Sequence, residues 1–430
     1  MAKAAAVART GAEHGPRAKT AAEGSFAFAL RLNLFALFLT AFWTPLNTLL
    51  LPGMVEPLAP ASLRGSALGG LTLLGVGIAV LVQPIFGALS DRWQTEERRR
   101  LPMTGAALLA GPLLAAMWFA PNFAILLLVY IALQCGMNLA QAAFQALIPD
   151  VVREDQRSRP SATKTALDVG GNAIGLGVAG GLILAGAGEG AVMWALVGLC
   201  AVGAAIAWFT APRVQPRKGL EPIGGLRGVF SPLRDGPPEF RAAVAMRFLF
   251  LLGLYPVQRF ILFVLEDRFE VEEPLARASV FILICILVAA LAGLAAGALA
   301  KVVSEGRIAK LATLVASGAL LGIAFAPTLM ILAVAGIVLA AAAGAFQAVN
   351  WGVLAKSLKD DEGARYFGLA NIATAGASAL AGAFGPLVDV AQRYVPGATY
   401  QILFCICAVI AASALWPGRK VEQSDAPASR

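Results

Sequence analysis

The sequence predicts an all-α membrane protein of twelve transmembrane helices arranged as two six-helix repeats. Three observations carry this expectation. The first is composition: 58% of the 430 residues are hydrophobic and only 14% charged, with a mean hydropathy of +0.74. Soluble domains carry about 25% charged residues and under 50% apolar ones, so one water-soluble core cannot hide this excess. An ordinary soluble enzyme, a disordered chain and a secreted disulfide scaffold are thereby excluded. The second is the recurrence of apolar stretches near the roughly 20 residues that cross a bilayer. The third is an internal match between the two halves of the chain.

Taken in order, the apolar stretches run over 25–52, 66–89, 101–119, 122–146, 163–186 and 190–210 in the first half. In the second they run over 241–265, 275–299, 307–325, 328–355, 364–388 and 398–416. Turn formers punctuate them, among them Pro52-Gly53, Ala120-Pro121-Asn122, Gly186-Ala187-Gly188-Glu189-Gly190 and Pro396-Gly397. Residues 1–24 are Ala-rich and basic without an apolar core. They read as a flexible cytoplasmic tail, not a cleavable signal peptide, and leave insertion to the first span. The domains follow: six helices over 25–210, a linker over 211–240, six helices over 241–416, and a tail over 417–430. The linker holds Arg213, Arg217, Lys218, Arg227 and Arg234 among prolines and glycines.

Lysine and arginine set the orientation. Of the 34, 27 fall in the two tails, the alternate loops and the helix ends bordering them. The opposite loops hold Arg64, Arg268, Arg277 and Arg393, and the spans hold Arg31, Arg247 and Arg259. Basic loops stay in the cytoplasm, so both termini are expected there, with the chain in the cell (inner) membrane. The net charge of +8 is then a topology signal, and no nucleic-acid partner is expected.

The halves can be laid on one another. Gly87-Ala88-Leu89-Ser90-Asp91 closes span two, and Gly297-Ala298-Leu299-Ala300-Lys301 closes span eight. Gln141, Asp155 and Arg159 align with Gln347, Asp361 and Arg365, and Arg31 aligns with Arg247. Two such halves about a membrane-normal axis are a transporter architecture with its site between them near the midplane.

The sharpest motif is Gly87-x-Leu-x-Asp91-Arg92, followed by Arg98-Arg99-Arg100 and Leu101-Pro102. Gly87 permits close helix approach, and Asp91 can accept charge-assisted hydrogen bonds from the arginines. Here the chain resembles the major facilitator superfamily. The three arginines before a proline look like the branch of glycoside, pentoside, hexuronide and sucrose cation symporters. Phe144-Gln145-Ala146-Leu147-Ile148-Pro149-Asp150, Asn350-Trp351 and Asn371-Ile372-Ala373-Thr374 look like that branch too. The resemblance implies a twelve-helix fold and alternating access. It also implies a conformational gate at Gly87, Asp91, Arg92, Arg98, Arg99 and Arg100. Lys301 stands where the second repeat would carry the acid, so any pairing there differs.

Polar groups inside spans are expensive and so are functional candidates. Asn138, Gln141 and Gln145 form one stripe on helix four, and Gln347, Asn350 and Trp351 a related one on helix ten. By the resemblance, helices one, four, seven and ten line a central cavity, which adds Trp43, Asn47, Tyr255, Gln258 and Arg259. Amides beside aromatic faces suit a polyhydroxylated ligand. The same amides could instead bond helix to helix and hold the bundle together. Arg259 lies seven residues before Glu266, about 10 Å inside its helix end. It either snorkels to Glu266 or Asp267 or faces a substrate. Arg31 and Arg247 are expected to snorkel to the cytosolic face. Asp168 is the coupling-ion candidate, for a proton or sodium, with Lys164 four residues earlier as a local partner.

No Walker-type loop is present to drive transport with ATP. The one histidine, His14, lies in the tail, so no Ser-His-Asp or zinc constellation can form, and neither an enzyme nor a metal site is expected. Cys135, Cys200, Cys285, Cys405 and Cys407 read as small hydrophobes. The expected function is secondary active transport of a sugar or glycoside, coupled to a proton or sodium, without a cofactor, by a monomer in the lipid bilayer. Efflux of amphiphilic compounds is the rival within the class. A transporter-like membrane assembly factor or pigment carrier is the rival outside it, since a fold does not dictate function.

Overall fold

The computed structural model describes residues 25–152, 158–215, 236–356 and 363–424. The tail over 1–24, most of the 211–240 linker, and the repeat-matched Asp155 and Asp361 lie outside the described residues. Every regular element described is helical, and twelve helices are long and apolar enough to cross a membrane. In the first half these are α1 (Phe26–Leu58), α2 (Arg64–Arg92), α3 (Arg100–Trp118), α4 (Phe123–Gln145), α5 (Ser158–Leu184) and α6 (Gly188–Thr210). In the second they are α7 (Pro238–Asp267), α8 (Pro274–Leu299), α9 (Glu305–Ala324), α10 (Leu329–Lys356), α11 (Gly363–Ala381) and α12 (Thr399–Ser413). A 3₁₀ turn at Gly382–Phe384 carries α11 on into Gly385–Tyr394.

Local chemistry starts these helices where the sequence places them. Ser25 accepts from the Phe28 amide at 3.1 Å and Asn122 from the Ile125 amide at 3.0 Å, each satisfying an orphan donor of a first turn. Pro238 and Pro274 occupy first turns, where a missing N–H costs nothing. One expected boundary moves. Pro52-Gly53 does not end span one, because a π-helical turn over Leu46–Leu50 follows Pro45 and the helix resumes over Leu51–Val55. Pro45 cannot donate into the ladder, and the wider turn absorbs the defect. Pro52 then falls in the first turn of the resumed helix, where it is tolerated.

Packing repeats itself. In the first half α1 packs on α5 and α6, α3 on α4 and α6, and α2 on α4. In the second, α7 packs on α11 and α12, α9 on α10 and α12, and α8 on α10. Adding six to each helix number converts one set into the other. The most extensive contacts between halves, α2 with α11 and α5 with α8, exchange under the same operation. Small residues make these approaches possible, as expected where no hydrophobic effect separates helix from lipid. A Cβ on Gly175 would stand 2.8 Å from Cα of Ala41, and one on Gly69 would stand 3.1 Å from the carbonyl carbon of Gly382.

Candidate functional site

On α4, Tyr130, Gln134 and Asn138 recur every four residues and are buried on one stripe. The Tyr130 hydroxyl donates to Asn47 Oδ1 at 3.2 Å and accepts from Gln134 Nε2 at 2.7 Å. Asn138 Nδ2 donates to the Gln134 carbonyl at 2.8 Å and to its Oε1 at 3.2 Å. The π turn after Pro45 carries Asn47, so a proline defect in α1 presents the first member of this chain. Sequence reasoning named Asn47 and Asn138 and missed Tyr130 and Gln134. The signal was available, because both continue the Asn138, Gln141, Gln145 stripe backwards. Gln141 and Trp43 are half-buried, and Gln145 is exposed.

In the second half the centre of the cluster is a cation. Arg247 Nε donates to Thr374 Oγ1 at 2.8 Å, and Nη1 donates to Asn350 Oδ1 at 3.3 Å. Its guanidinium lies 4.4 Å from the centre of the Trp351 ring. Asn350 is oriented in turn by donating to the Ala243 carbonyl at 3.3 Å. Arg247 therefore does not snorkel; it is 2% exposed. The indole face and two acceptors solvate the planar guanidinium inside the bundle, so reaching for water gains nothing. Arg31, by contrast, is exposed and donates to the Phe209 carbonyl at 3.0 Å. Tyr255 and Gln347 are half-buried, and Gln258 is exposed.

The snorkelling reading of Arg259 also fails, because its acids are taken. Arg64, from the start of α2, pairs with Asp267 and lies 3.6 Å from Glu266, with its guanidinium 4.5 Å from the Phe263 ring centre. The Tyr400 hydroxyl donates to the same Asp267. Beside this, Asp389 accepts from the backbone N–H groups of Gly65 and Ser66 at 2.9 and 2.6 Å. A carboxylate of one half thus caps a helix of the other, where the helix dipole favours it. These contacts of Arg64 and Asp389 join the halves at the end opposite the basic loops. Arg64, Asp267 and Asp389 sit at span ends, where sequence reasoning expects ordinary loop charges, and it passed over them as site residues.

At the basic end, Arg98 and Arg99 both donate to Asp150, at 3.1 and 2.7 Å, with all three side chains 1% exposed. Arg100 donates to the Ala211 carbonyl at 2.8 Å, and Arg213 to Glu97 at 2.7 Å, which holds the Arg213 pKa above its ordinary value. Gly87, Asp91 and Arg92 fall in the last turns of α2; their side chains lie outside the described residues. Asp168 is held by Lys164 at 2.6 Å, the local pair that their spacing suggested.

Two cavities, of about 310 and 230 Å³, open elsewhere. The larger lies among Leu184, Ala276, Val280 and Phe281, the smaller among Leu37, Ala41, Ile174 and Val192. Their linings are apolar except for Arg277 at the larger. The convergent polar groups lie instead on α1, α4, α7 and α10, whose polar faces form the candidate site.

Comparison with known proteins agrees with this architecture. The sequence profile described as Major Facilitator Superfamily matches residues 32–386. The uncharacterized symporter sll1374 of Synechocystis sp. (strain ATCC 27184 / PCC 6803 / Kazusa) is 29% identical over 222 residues, 46% of this chain. The match spans 37% of that relative's length. Among solved structures, a point mutant of the nucleoside transporter NupG superposes with a TM-score of 0.73 at 13% identity, over 92% of this chain and 99% of that one. A bacterial homologue of the human lysosomal transporter Spinster, inward-facing and unoccupied, gives 0.71 at 16% identity, over 96% and 100%. The human organic anion transporter MFSD10 gives 0.62 at 18% identity, over 94% and 100%.

Proposed function

Because the chain belongs to the major facilitator superfamily, and so is a multi-pass membrane transporter and not an enzyme, we propose that it moves a sugar or glycoside by ion-coupled alternating access between its two halves. The observation that carries this reading is the chain of neutral donors and acceptors through Asn47, Tyr130, Gln134 and Asn138. Groups that both donate and accept match hydroxyls, which do the same, and the aromatic residues Trp43, Tyr255 and Trp351 of α1, α7 and α10 suit the apolar face of a sugar ring. The nucleoside transporter among the structural neighbours moves a solute that also carries a sugar, and the curated relative is named a symporter.

The distribution of lysine and arginine supports cytoplasmic termini in the cell membrane. On that topology the end joined by Arg64, Asp267 and Asp389 is the outer one, and the structure is the outward-closed state. Each chain, with its two halves, would be a complete transport unit. The coupling ion is a proton or sodium, and Asp168 is the candidate carboxylate, binding the ion by giving up Lys164. Efflux of amphiphilic compounds is the second reading, favoured by the apolar cavity of about 310 Å³ beside α8.

Purified protein in proteoliposomes tests the proposal. Labelled sucrose, glucose and a nucleoside would be offered with and without an inward proton or sodium gradient. Gradient-driven accumulation of at least one of them is expected. Transport of amphiphilic dyes without any sugar or nucleoside uptake would replace the proposal with the second reading.

A further inference from the structure

Arg259 sits eight residues before Asp267, about 12 Å along α7 from the closed end. Its Nε is buried and has no hydrogen-bond partner. Among the described residues it makes no ion pair. The carboxylates that end its own helix, Glu266 and Asp267, are engaged by Arg64 of the other half. What lies within electrostatic reach of it across the interface is the Tyr130 hydroxyl, which already donates to Asn47 and accepts from Gln134. Among the described residues, the titratable group that acts on the guanidinium is thus a neutral one. A half-buried cation without an anion is costly at membrane depth, most of all at its buried Nε.

Arg247 shows what a satisfied arginine looks like in the same helix, with Asn350, Thr374 and Trp351 around it. It lies twelve residues, about 18 Å, from Arg259, too far for one small solute to bridge. Of the two arginines in the middle of α7, Arg259 is thus the one left open to a substrate.

We propose that the missing partner of Arg259 is a carboxylate on the substrate, so that the transported solute is a polyhydroxylated acid. The planar guanidinium holds the carboxylate through Nε–H and one Nη–H, the paired geometry that a fork-shaped donor offers. The amides and the tyrosine of α1 and α4 take the hydroxyls. This rests on the reading of the cluster as the site of a hydroxyl-rich solute, and it adds the charge. The role of Arg259 is to bind and select, and its positive charge disfavours cationic solutes.

The full-length protein, purified in nanodiscs, would be titrated calorimetrically with glucose, glucuronate, glucose 6-phosphate and lactate. Glucose and glucuronate differ only at C6. The expected result is glucuronate binding roughly ten- to a hundredfold tighter than glucose, the worth of a charged hydrogen-bonded pair. Arg259→Gln should abolish that ratio and Arg259→Lys retain part of it, since lysine keeps the charge and loses the fork. The readout is a ratio of two affinities in one sample, which a merely structural role would not move. Should Arg259→Gln fail to fold, the wild-type series and Arg259→Lys still decide. Equal binding of glucose and glucuronate, or a preference that survives Arg259→Gln, overturns the carboxylate and leaves the sugar reading standing. Preference for glucose 6-phosphate over glucuronate overturns the carboxylate in favour of a phosphate. Arg259-dependent binding of lactate without either sugar keeps the anion role and ends the sugar reading. Silence of all four ligands overturns both.

Discussion

The two halves treat buried arginine in opposite ways. In the first, Arg98 and Arg99 converge on Asp150, and all three side chains are sealed from solvent. In the second, Arg247 rests on an amide, a hydroxyl and an indole, and Arg259 has no described anion at all. The scaffold that carries these arginines repeats helix for helix, so the contrast is not one of fold. It lies in where acids were placed. Charges that only hold structure together bring their counter-charge with them, because a buried ion left alone is costly. A charge without one is either solvated by neutral groups, as Arg247 is, or left open, as at Arg259 Nε, where we proposed that a substrate supplies the partner. At the register that aligns Arg31 with Arg247, Trp43 falls on Arg259: an aromatic face in one half, a cation in the other.

The largest expected effect tests that contrast directly. Asp150→Asn removes the acid that two buried guanidinium groups share and should cost about 3–5 kcal/mol of stability. Arg247→Met orphans only neutral partners and should cost about 1–3 kcal/mol. Thermal melting of both purified variants measures the gap. Equal losses would break the comparison, because Arg247 would then be as structural as Arg98 and Arg99.

A smaller effect is expected at the closed end. Arg64 ties α2 to the end of α7, and Arg64→Gln removes one partner from a half-exposed network with Glu266, Asp267 and Phe263. A loss of about 1–3 kcal/mol would shift the balance between closed and open forms roughly 5–150-fold. Gln258→Cys, beside Arg259 in sequence and exposed, is the reporter. In the Arg64→Gln background an impermeant maleimide added outside should label it faster. Unchanged labelling would remove Arg64 from the closure.

The smallest effect sharpens the comparison within the site. Gln141 and Gln347 hold equivalent places in the two repeats, and both are half-buried. Gln141→Ala and Gln347→Ala should each weaken substrate affinity by about 0.5–1.5 kcal/mol, roughly two- to twelvefold. Lower melting temperature with affinity intact would make these glutamines bundle contacts instead.

Much of this is legible in the sequence. Helix count follows from hydropathy, because a bilayer demands about 20 apolar residues per crossing and the chain must supply them locally. Candidate site residues such as Asn47, Asn138 and Arg259 stand out for the same reason, since polar groups in apolar spans are too costly to be incidental. The pairing of Lys164 with Asp168 was equally visible, being one helical turn long. Tyr130 was passed over because one tyrosine in an apolar span looks like core, until its hydroxyl is seen to join Asn47 to Gln134.

What the tertiary structure alone decided is which group answers each charge. That Asp389 caps Ser66 across 323 residues, that Arg64 claims the acids offered as one of two destinations for Arg259, and that Arg247 turns inward to Trp351 all depend on which helix faces which. Hydropathy is summed along one segment and needs no neighbour, so the sequence determines the spans by itself. The partner of a charge is set by side chains from distant segments meeting in space, and that meeting exists only once the helices have packed.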